Sequence, residues 1–238
     1  GNPVYRWEVL QENGYQWWIE RIRRNMGLFD SIRIDHFRGF IGYWEIPAGE
    51  ETAMNGQWVE GPGRDFFEAV TQQVPGASII AEDLGVITPD VHEVMDSFGF
   101  PGMKVLLFAF GPDLPTNPYA PHLHIRNCVV YTGTHDNNTA RGWFENEAAE
   151  EDKKRLSAYT GRRITASNVH MELIRLAMGS VAETCILPMQ DVLGLGERHR
   201  MNRPATRDGN WQWRLELEAL EEAPADPLRG MAEIYGRV

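Results

Sequence analysis

Residues 31–36, SIRIDH, alternate polar and apolar side chains and carry an acid near their end. The alternation predicts a β-strand with Arg33 and Asp35 on one face, because successive side chains of a strand point to opposite sides. Residues 78–82, SIIAE, repeat this arrangement and end on Glu82. Two short strands that each lead into a carboxylate are therefore the first elements of the fold.

Amphipathic helices separate these strands from each other and from later ones. Apolar residues recur at spacings of three and four in residues 15–26, which is the pattern of one helix face. Thr88 followed by Pro89 predicts the start of a helix, because proline suits the first helical position. The further predictions are helices around residues 66–74, 91–98, 165–178 and 231–235, and strands at residues 103–110, 129–134 and 184–187.

Strands that alternate with helices at this spacing are typical of an α/β fold with a parallel sheet and right-handed crossovers. About five βα units can be counted. An open doubly wound sheet is one possibility, but the glycine-rich turn that usually follows its first strand is absent. The sequence contains neither GxGxxG nor GxxxxGK[ST], which argues against a nucleotide cofactor. Five units are too few for an eight-stranded barrel.

Composition restricts the partners and the compartment. The chain has 238 residues, 42% of them hydrophobic, and a net charge of −11, which makes nucleic acid an unfavourable ligand. No apolar run approaches the ~18 residues of a membrane span, and the first residues do not resemble a signal peptide. Cys128 and Cys185 lie in apolar segments, and we expect two buried thiols in a reducing compartment. The expected localisation is cytoplasmic.

Acids follow three of the predicted strands. Besides Asp35 and Glu82, Asp136 follows the segment VVYTGTH, with Thr132 and Thr134 expected on the same side of the strand. One such acid alone is more often a helix cap or a loop residue. Three in equivalent positions indicate a site, because the carboxyl ends of parallel strands meet at one mouth, where barrel enzymes build their active sites.

The residue types suggest what this site does. Two carboxyl groups about 5–5.5 Å apart support a double displacement at a sugar carbon, with one group as nucleophile and the other as acid/base. A nucleophile must be charged, and Arg33 places a positive charge on the same face as Asp35. Glu82 has the longer arm and no arginine beside it. We therefore expect Asp35 to be the nucleophile and Glu82 to transfer the proton.

The ordered segments RIDHFRGF, AEDLG and YTGTHDNNT resemble the strand ends of the α-amylase clan, and in detail those of the amylomaltases, which are 4-α-glucanotransferases. The similarity continues through GNPVYRW, GYWEIPA, PGMKVLLFAF, MQDVLGLG, RHRMN and GNWQWR, so it covers nearly the whole chain. It implies a TIM (β/α)8-barrel of which this chain, residues 1–238, forms a single segment with about the last five βα units. Family members are about twice as long, so the resemblance implies a missing N-terminal half of the same enzyme.

The resemblance also assigns residues. Asp35 matches the nucleophile, Glu82 the acid/base, and Asp136 a third carboxylate that holds the sugar hydroxyls. The matching substrate-binding positions are Arg33, His135, His36, Phe108 and Asn202. The implied partners are α-1,4-glucan donor and acceptor oligosaccharides such as starch, glycogen and maltooligosaccharides, and neither a metal nor an organic cofactor is implied.

Three other interpretations stay open at the level of the sequence. A hydrolase of the same clan would use the same carboxylates, and a truncated chain could be an inactive glucan-binding fragment. A metal-dependent barrel hydrolase would use His122 and His124, although Pro121 before them favours a loop.

The tryptophans allow two interpretations. Trp17 and Trp18 fit packing of a helix. For the tryptophans in loops or near strand ends, stacking on a glucan is as plausible as packing; these are Trp44, Trp58, Trp143, Trp211 and Trp213.

Overall fold

The computed structural model describes residues 2–221 and 223–237 and divides the chain into two units. Unit 1 is Gly1–Met103 and unit 2 is Lys104–Val238. Helices and parallel strands occur in both units, which confirms the predicted α/β class. Across the described ranges, every helix is too short or too polar to cross a lipid bilayer.

Unit 1 is organised around the two strands predicted first. Its elements are α1 (Trp7–Glu12), α2 (Gln16–Met26), β1 (Ile32–Ile34), β2 (Gly42–Glu45), β3 (Gln57–Glu60), α3 (Gly63–Gln73), β4 (Ile79–Ala81) and α4 (Pro89–Phe98). β1 pairs with β4 in parallel, with Ile32 opposite Ile79 and Ile34 opposite Ala81. At their carboxyl ends, β1 stops two residues and β4 one residue earlier than the sequence predicts, so each acid lies just beyond the end of its strand.

Apolar faces of the predicted helices form the core of unit 1. α2 buries Ile19 and Ile22, as its periodicity predicts, and α3 buries Phe66, Phe67 and Val70. α4 begins after Thr88 with Pro89 in its first turn, which confirms the start read from the sequence. It ends at Gly99, whose φ of +68° closes the helix in the left-handed conformation that glycine adopts at low cost.

One feature of unit 1 is missing from the sequence prediction. The segment interpreted as a tryptophan- and glycine-rich loop contains an antiparallel pair, β2 with β3, in which Trp44 lies opposite Trp58. Hairpin loops of two to five residues give a recognisable turn signal, whereas residues 46–56 form a much longer connection. The pairing therefore left no short-range trace in the sequence.

Unit 2 has a sheet with the order β5–β6–β7. Its strands and helices are β5 (Gly102–Val105, which begins in unit 1), β6 (Cys128–Tyr131), α5 (Ala140–Asn146), α6 (Glu150–Thr160), α7 (Val169–Met178), β7 (Thr184–Ile186), α8 (Met189–Val192), α9 (Leu217–Glu221) and α10 (Ala225–Ile234). β6 and β7 are parallel, with Val130 opposite Cys185. The α7 residues predicted to face inward, Val169, Leu173, Ile174 and Ala177, are all fully buried.

Two strand predictions in unit 2 are too long at their carboxyl ends. The strand predicted to reach Phe110 stops at Val105 and continues as a 3₁₀ turn, Leu106–Phe108, because a buried apolar run does not distinguish a strand from a helical turn. β6 stops at Tyr131, so the alternation of side chains does not extend to Asp136. The inference that Thr132, Thr134 and Asp136 share one strand face was therefore wrong.

Replacement of Phe67 by alanine tests the aromatic core of unit 1. The Phe67 ring is fully buried and lies 4.8 Å from the ring of Phe37 and 5.3 Å from that of Phe100, measured between centroids. Loss of this ring is expected to lower the free energy of unfolding by about 3–5 kcal/mol. The exposed Val86→Ala is the control, with an expected change within about 0.5 kcal/mol. Urea denaturation that finds equal changes for both variants would contradict the assigned core.

Candidate active site

Asp35 and Glu82 follow strands that pair directly with each other. Ile34, the last residue of β1, lies opposite Ala81, the last residue of β4. The Glu82 N–H donates to the carbonyl of Ile34 at 3.0 Å, which continues the ladder by one step. The two carboxylates are thus the first side chains beyond neighbouring strand ends, the position at which α/β folds place ligands.

Two backbone N–H groups hold the carboxylate of Glu82, one from the segment after β1 and one from the segment after β4. The N–H of His36 donates to Oε2 at 2.7 Å, and the N–H of Leu84 donates to Oε1 at 2.9 Å. His36 has a φ of +48°, so the chain turns back toward β4 immediately after Asp35. Because both oxygens have a donor, the half-buried side chain of Glu82 has a fixed direction.

Asp35 is much more exposed than Glu82 and has a different partner. Arg33 Nη2 donates to Asp35 Oδ1 at 2.7 Å, which confirms that these side chains share one face. The Arg33 guanidinium is itself only 27% exposed, and its Nε donates to the sulfur of Met103 at 3.2 Å. Asp35 keeps 76% of its side chain accessible, so a ligand can reach its second oxygen.

A cleft of about 470 Å³ in unit 1 opens beside Asp35. Asp35, His36 and Arg38 supply its polar wall, and aromatic rings supply much of the remainder. The aromatic lining residues are Tyr5, Trp7, Trp18, Phe40, Tyr43, Trp44 and Trp58. Indole faces are apolar and flat, and such faces suit the apolar face of a sugar ring. Trp44 and Trp58, for which the sequence left stacking on a glucan open, line this cleft. Trp18, which the sequence analysis assigns to helix packing, lines it as well.

Asp136 lies in unit 2 and has its own set of neighbours. Asn202 Nδ2 donates to Asp136 Oδ1 at 2.6 Å, and His135 Nε2 lies 3.4 Å from Oδ2. The Asn202 N–H also donates to the carbonyl of His135 at 3.1 Å. The structure therefore brings together three of the predicted site residues, although Asn202 is 66 positions away from Asp136 in the sequence.

Two further residues contact this group: Arg200, which the sequence prediction missed, and Trp211, for which it left stacking on a glucan open. Arg200 donates through Nη2 to the carbonyl of Asp136 and through Nη1 to Glu147 Oε1, both at 3.0 Å. The ring of Trp211 lies 5.2 Å from that of His135. Arg200 lies within the RHRMN segment that carries the resemblance, so the signal was present without a role attached to this residue.

Phe108 is the predicted site residue that joins neither group through a described contact. It ends the 3₁₀ turn after β5, and its side chain packs edge-on against Tyr119 at a centroid distance of 5.4 Å. Its carbonyl accepts a hydrogen bond from Asn117 Nδ2 at 2.9 Å. The residue is 41% exposed, so much of its side chain is free of protein contacts.

Comparison with known proteins identifies the family. A family model described as 4-alpha-glucanotransferase, glycoside hydrolase family 77, matches residues 1–219. The chain belongs to the 4-alpha-glucanotransferase family. The resemblance inferred from the strand-end segments is thereby confirmed.

Individual 4-alpha-glucanotransferases are similar in sequence to this chain. The 4-alpha-glucanotransferase of Synechocystis is 49% identical over 239 residues, and that of Solanum tuberosum, named as chloroplastic/amyloplastic, is 48% identical over 241. Both matches include the whole of this chain, but only 47% and 41% of the relatives. The chain therefore spans about half the length of these 4-alpha-glucanotransferases.

Solved structures of amylomaltases also match this chain over about half of their own length. An amylomaltase from Streptococcus agalactiae, solved in complex with acarbose, superposes with a TM-score of 0.93 at 37% identity. The match covers 99% of this chain and 47% of that one. An amylomaltase from Corynebacterium glutamicum, at 18% identity and a TM-score of 0.80, shares the fold. The mixed α/β fold of this chain thus matches that of somewhat less than half of an amylomaltase.

The two histidines considered as metal ligands have other partners. His124 is buried, with Nδ1 at 2.7 Å from Ser180 Oγ and Nε2 at 2.9 Å from the carbonyl of Tyr119. His122 lies in the 3₁₀ turn Pro121–Leu123, with Nδ1 at 3.1 Å from Tyr159 Oη. Within residues 2–221 and 223–237, no three His, Cys, Asp or Glu side chains converge as a metal site. The loop interpretation of this segment is confirmed.

The environment of His124 predicts how stability depends on pH. Burial lowers the pKa of His124 below its ordinary 6.5, an effect opposed by the hydrogen bond to Tyr119 and assisted by the charge of Lys104. The folded chain therefore binds this proton less well than the unfolded chain, so the His124 contribution is present above pH 6.5 and is lost as the pH falls.

A His124→Gln variant is expected to show a smaller decrease in unfolding free energy between about pH 7 and pH 5. The exposed His92→Gln is the control and should keep the original slope. Some pH dependence should persist in both, because burial also lowers the pKa of His170. Equal slopes in the His124 variant and the unmodified chain, measured by urea titration at several pH values, would contradict this assignment.

Proposed function

We propose that the protein carrying this chain transfers α-1,4-glucan segments between maltooligosaccharides, starch or glycogen through a covalent glycosyl-enzyme. The observation that carries the proposal is the placement of Asp35 and Glu82 directly beyond paired parallel strands, with Asp35 on an open aromatic cleft. Membership of the 4-alpha-glucanotransferase family supports the reaction type.

In the first half-reaction, Glu82 donates a proton to the glycosidic oxygen of the donor glucan as that bond breaks. An oxygen of Asp35 attacks the anomeric carbon and forms the glycosyl ester, and the shortened glucan leaves with the proton. The free oxygen of Asp35 suits this attack because Arg33 contacts the other one.

In the second half-reaction, Glu82 removes the proton from the 4-hydroxyl of an acceptor glucan. That oxygen attacks the anomeric carbon, the ester bond to Asp35 breaks, and Glu82 is protonated again. The fixed direction of the Glu82 carboxylate supports both proton transfers, because a general acid/base must stay within hydrogen-bond reach of the same oxygen.

The other predicted site residues are proposed to bind the sugar. Asp136 would accept hydrogen bonds from sugar hydroxyls and favour the distorted ring, and Asn202 supports it by holding one of its oxygens. His36 lines the cleft beside Asp35, which supports a position next to the reacting sugar. The remaining proposed substrate-binding residues are Arg33, His135 and Phe108.

We further propose that this chain contributes about the last five βα units of a (β/α)8-barrel, and that another half of the same enzyme supplies the remaining strands. The share of the relatives that the chain covers, about half, supports this proposal. It stays a prediction that this chain is the carboxyl-terminal half of the enzyme. It also stays a prediction that residues 1–238 form a single segment of the barrel. Cytoplasmic localisation also stays a prediction, and the potato relative is named as chloroplastic/amyloplastic.

Incubation with maltotriose tests the reaction type. A transferase is expected to produce glucose together with maltooligosaccharides longer than the substrate, whereas a hydrolase produces glucose and maltose alone. The assay is run on this chain and on the full-length polypeptide that carries it, with product chromatography. Longer products from the full-length polypeptide support the proposal. Shorter products alone would replace it by hydrolysis, and an absence of turnover in both samples would refute it.

Substitution of the two acids tests their roles. Asp35→Asn removes the nucleophile, and Glu82→Gln removes the group that donates the proton to the leaving sugar. Each substitution is expected to reduce the rate of transfer from maltotriose by about a hundredfold to ten-thousandfold in the full-length polypeptide. Asp96→Asn and Glu93→Gln make the same changes on the exposed face of α4 and should leave the rate unchanged. Circular dichroism confirms folding in each case. Retention of full activity by either active-site variant would disprove the assigned roles.

A further inference from the structure

Asp191 is a buried acid outside the residues assigned so far. It lies in α8 with 1% of its surface exposed. Its Oδ2 accepts a hydrogen bond from the hydroxyl of Thr132, and its Oδ1 accepts one from the N–H of Ala140 at 2.7 Å. Burial raises its pKa, an effect that these two hydrogen bonds oppose. Burial of a carboxylate is costly unless its oxygens are hydrogen-bonded, so these two donors are needed to keep Asp191 in this place.

The two partners of Asp191 delimit one loop. Thr132 directly follows β6, and Ala140 is the first residue of α5, so the seven residues 133–139 between them connect the strand to the helix. His135 and Asp136 lie in this connection. One side chain thus fixes both ends of the loop that presents the proposed sugar-binding acid.

The tip of the same loop is held by residues of the segment 190–202, which includes Asp191. Gln190 Nε2 donates to the carbonyl of His199 at 3.3 Å, which connects α8 to the turn preceding Arg200. Arg200 then donates to the carbonyl of Asp136, and Asn202 donates to its carboxylate. Residues 190–202 therefore contact the loop at its base and at its tip.

The chemistry of the site favours a carboxylate over an amide. Both partners of Asp191 are donors, and a carboxylate offers two acceptor oxygens in fixed geometry. An asparagine could still accept from Ala140 and could donate its amide to the Thr132 hydroxyl, but both bonds would then be neutral and weaker than the charge-assisted bonds of a carboxylate. An alanine would leave a buried hydroxyl and a buried N–H without acceptors, which destabilises the loop ends.

We propose that Asp191 is a positioning residue for the reaction: by fixing Thr132 and Ala140 it holds loop 133–139, and so the carboxylate of Asp136, in the orientation that binds the sugar. The role in the reaction rests on the proposed function, whereas the role in ordering the loop does not. Asp191 itself contacts no substrate in this account.

Hydrogen exchange on the full-length polypeptide tests the ordering role without any assay of activity. Asp191→Asn is expected to raise the exchange rates of the amides in residues 133–139 about tenfold or more, because two charge-assisted buried hydrogen bonds are replaced by weaker neutral ones. Thr132→Val removes one of the two bonds and should raise the same rates, and it serves as the main variant if Asp191→Asn does not fold.

Glu172→Gln is the matched control, because Glu172 is another buried acid of unit 2 and its partner is Arg162 on a different segment. It should leave exchange in residues 133–139 within about twofold of the unmodified chain while it lowers overall stability. Equal increases in this control and in the Asp191 variant, or no increase in the latter, would overturn the ordering role.

A double-mutant cycle in the full-length polypeptide tests the connection to Asp136. With an activated maltosyl fluoride as donor, Asp191→Asn is expected to reduce kcat about tenfold or more in the unmodified background and less than about twofold in an Asp136→Asn background. Independent, multiplicative effects would refute positioning through Asp136. If the unmodified polypeptide transfers no sugar, the proposed function fails, and hydrogen exchange still decides whether Asp191 orders the loop.

Discussion

The parallel pairing of β1 with β4 is the interaction on which the placement of Asp35 and Glu82 depends. A shift of one residue in this register would move Glu82 away from the N–H groups of His36 and Leu84 and would turn its side chain to the opposite face. The register is set by the buried faces of both strands, which include Ile34, Ile79 and Ala81. Core packing thus determines where the acid is placed.

Asp136 is positioned by a different kind of contact. No strand reaches this residue, since β6 ends at Tyr131, and its orientation depends on side chains that come from far along the chain. Asp191 fixes the two ends of the loop, while Arg200 and Asn202 hold its tip. Backbone ladders are rigid, whereas a loop held by side chains can be adjusted by single substitutions.

Local signals in the sequence were sufficient for much of the fold and for the first acid pair. Thr88, Pro89 and Gly99 determine the ends of α4 through backbone chemistry alone, and alternation placed Arg33 beside Asp35. The β2–β3 hairpin escaped prediction because its connection is long. Arg200 escaped because its contacts with Asp136 arise only when the chain is folded, and no periodicity or spacing encodes such contacts.

The most direct test of the central claim is to trap the covalent intermediate. The full-length polypeptide is incubated with an activated maltosyl fluoride whose glycosyl-enzyme is released slowly, and the digested protein is analysed by mass spectrometry. The account predicts that the peptide containing Asp35 gains the mass of one maltosyl group, and that Asp35→Asn abolishes this label. A label on Glu82, on Asp136 or on any other residue, in a sample that consumes the fluoride, would contradict the account.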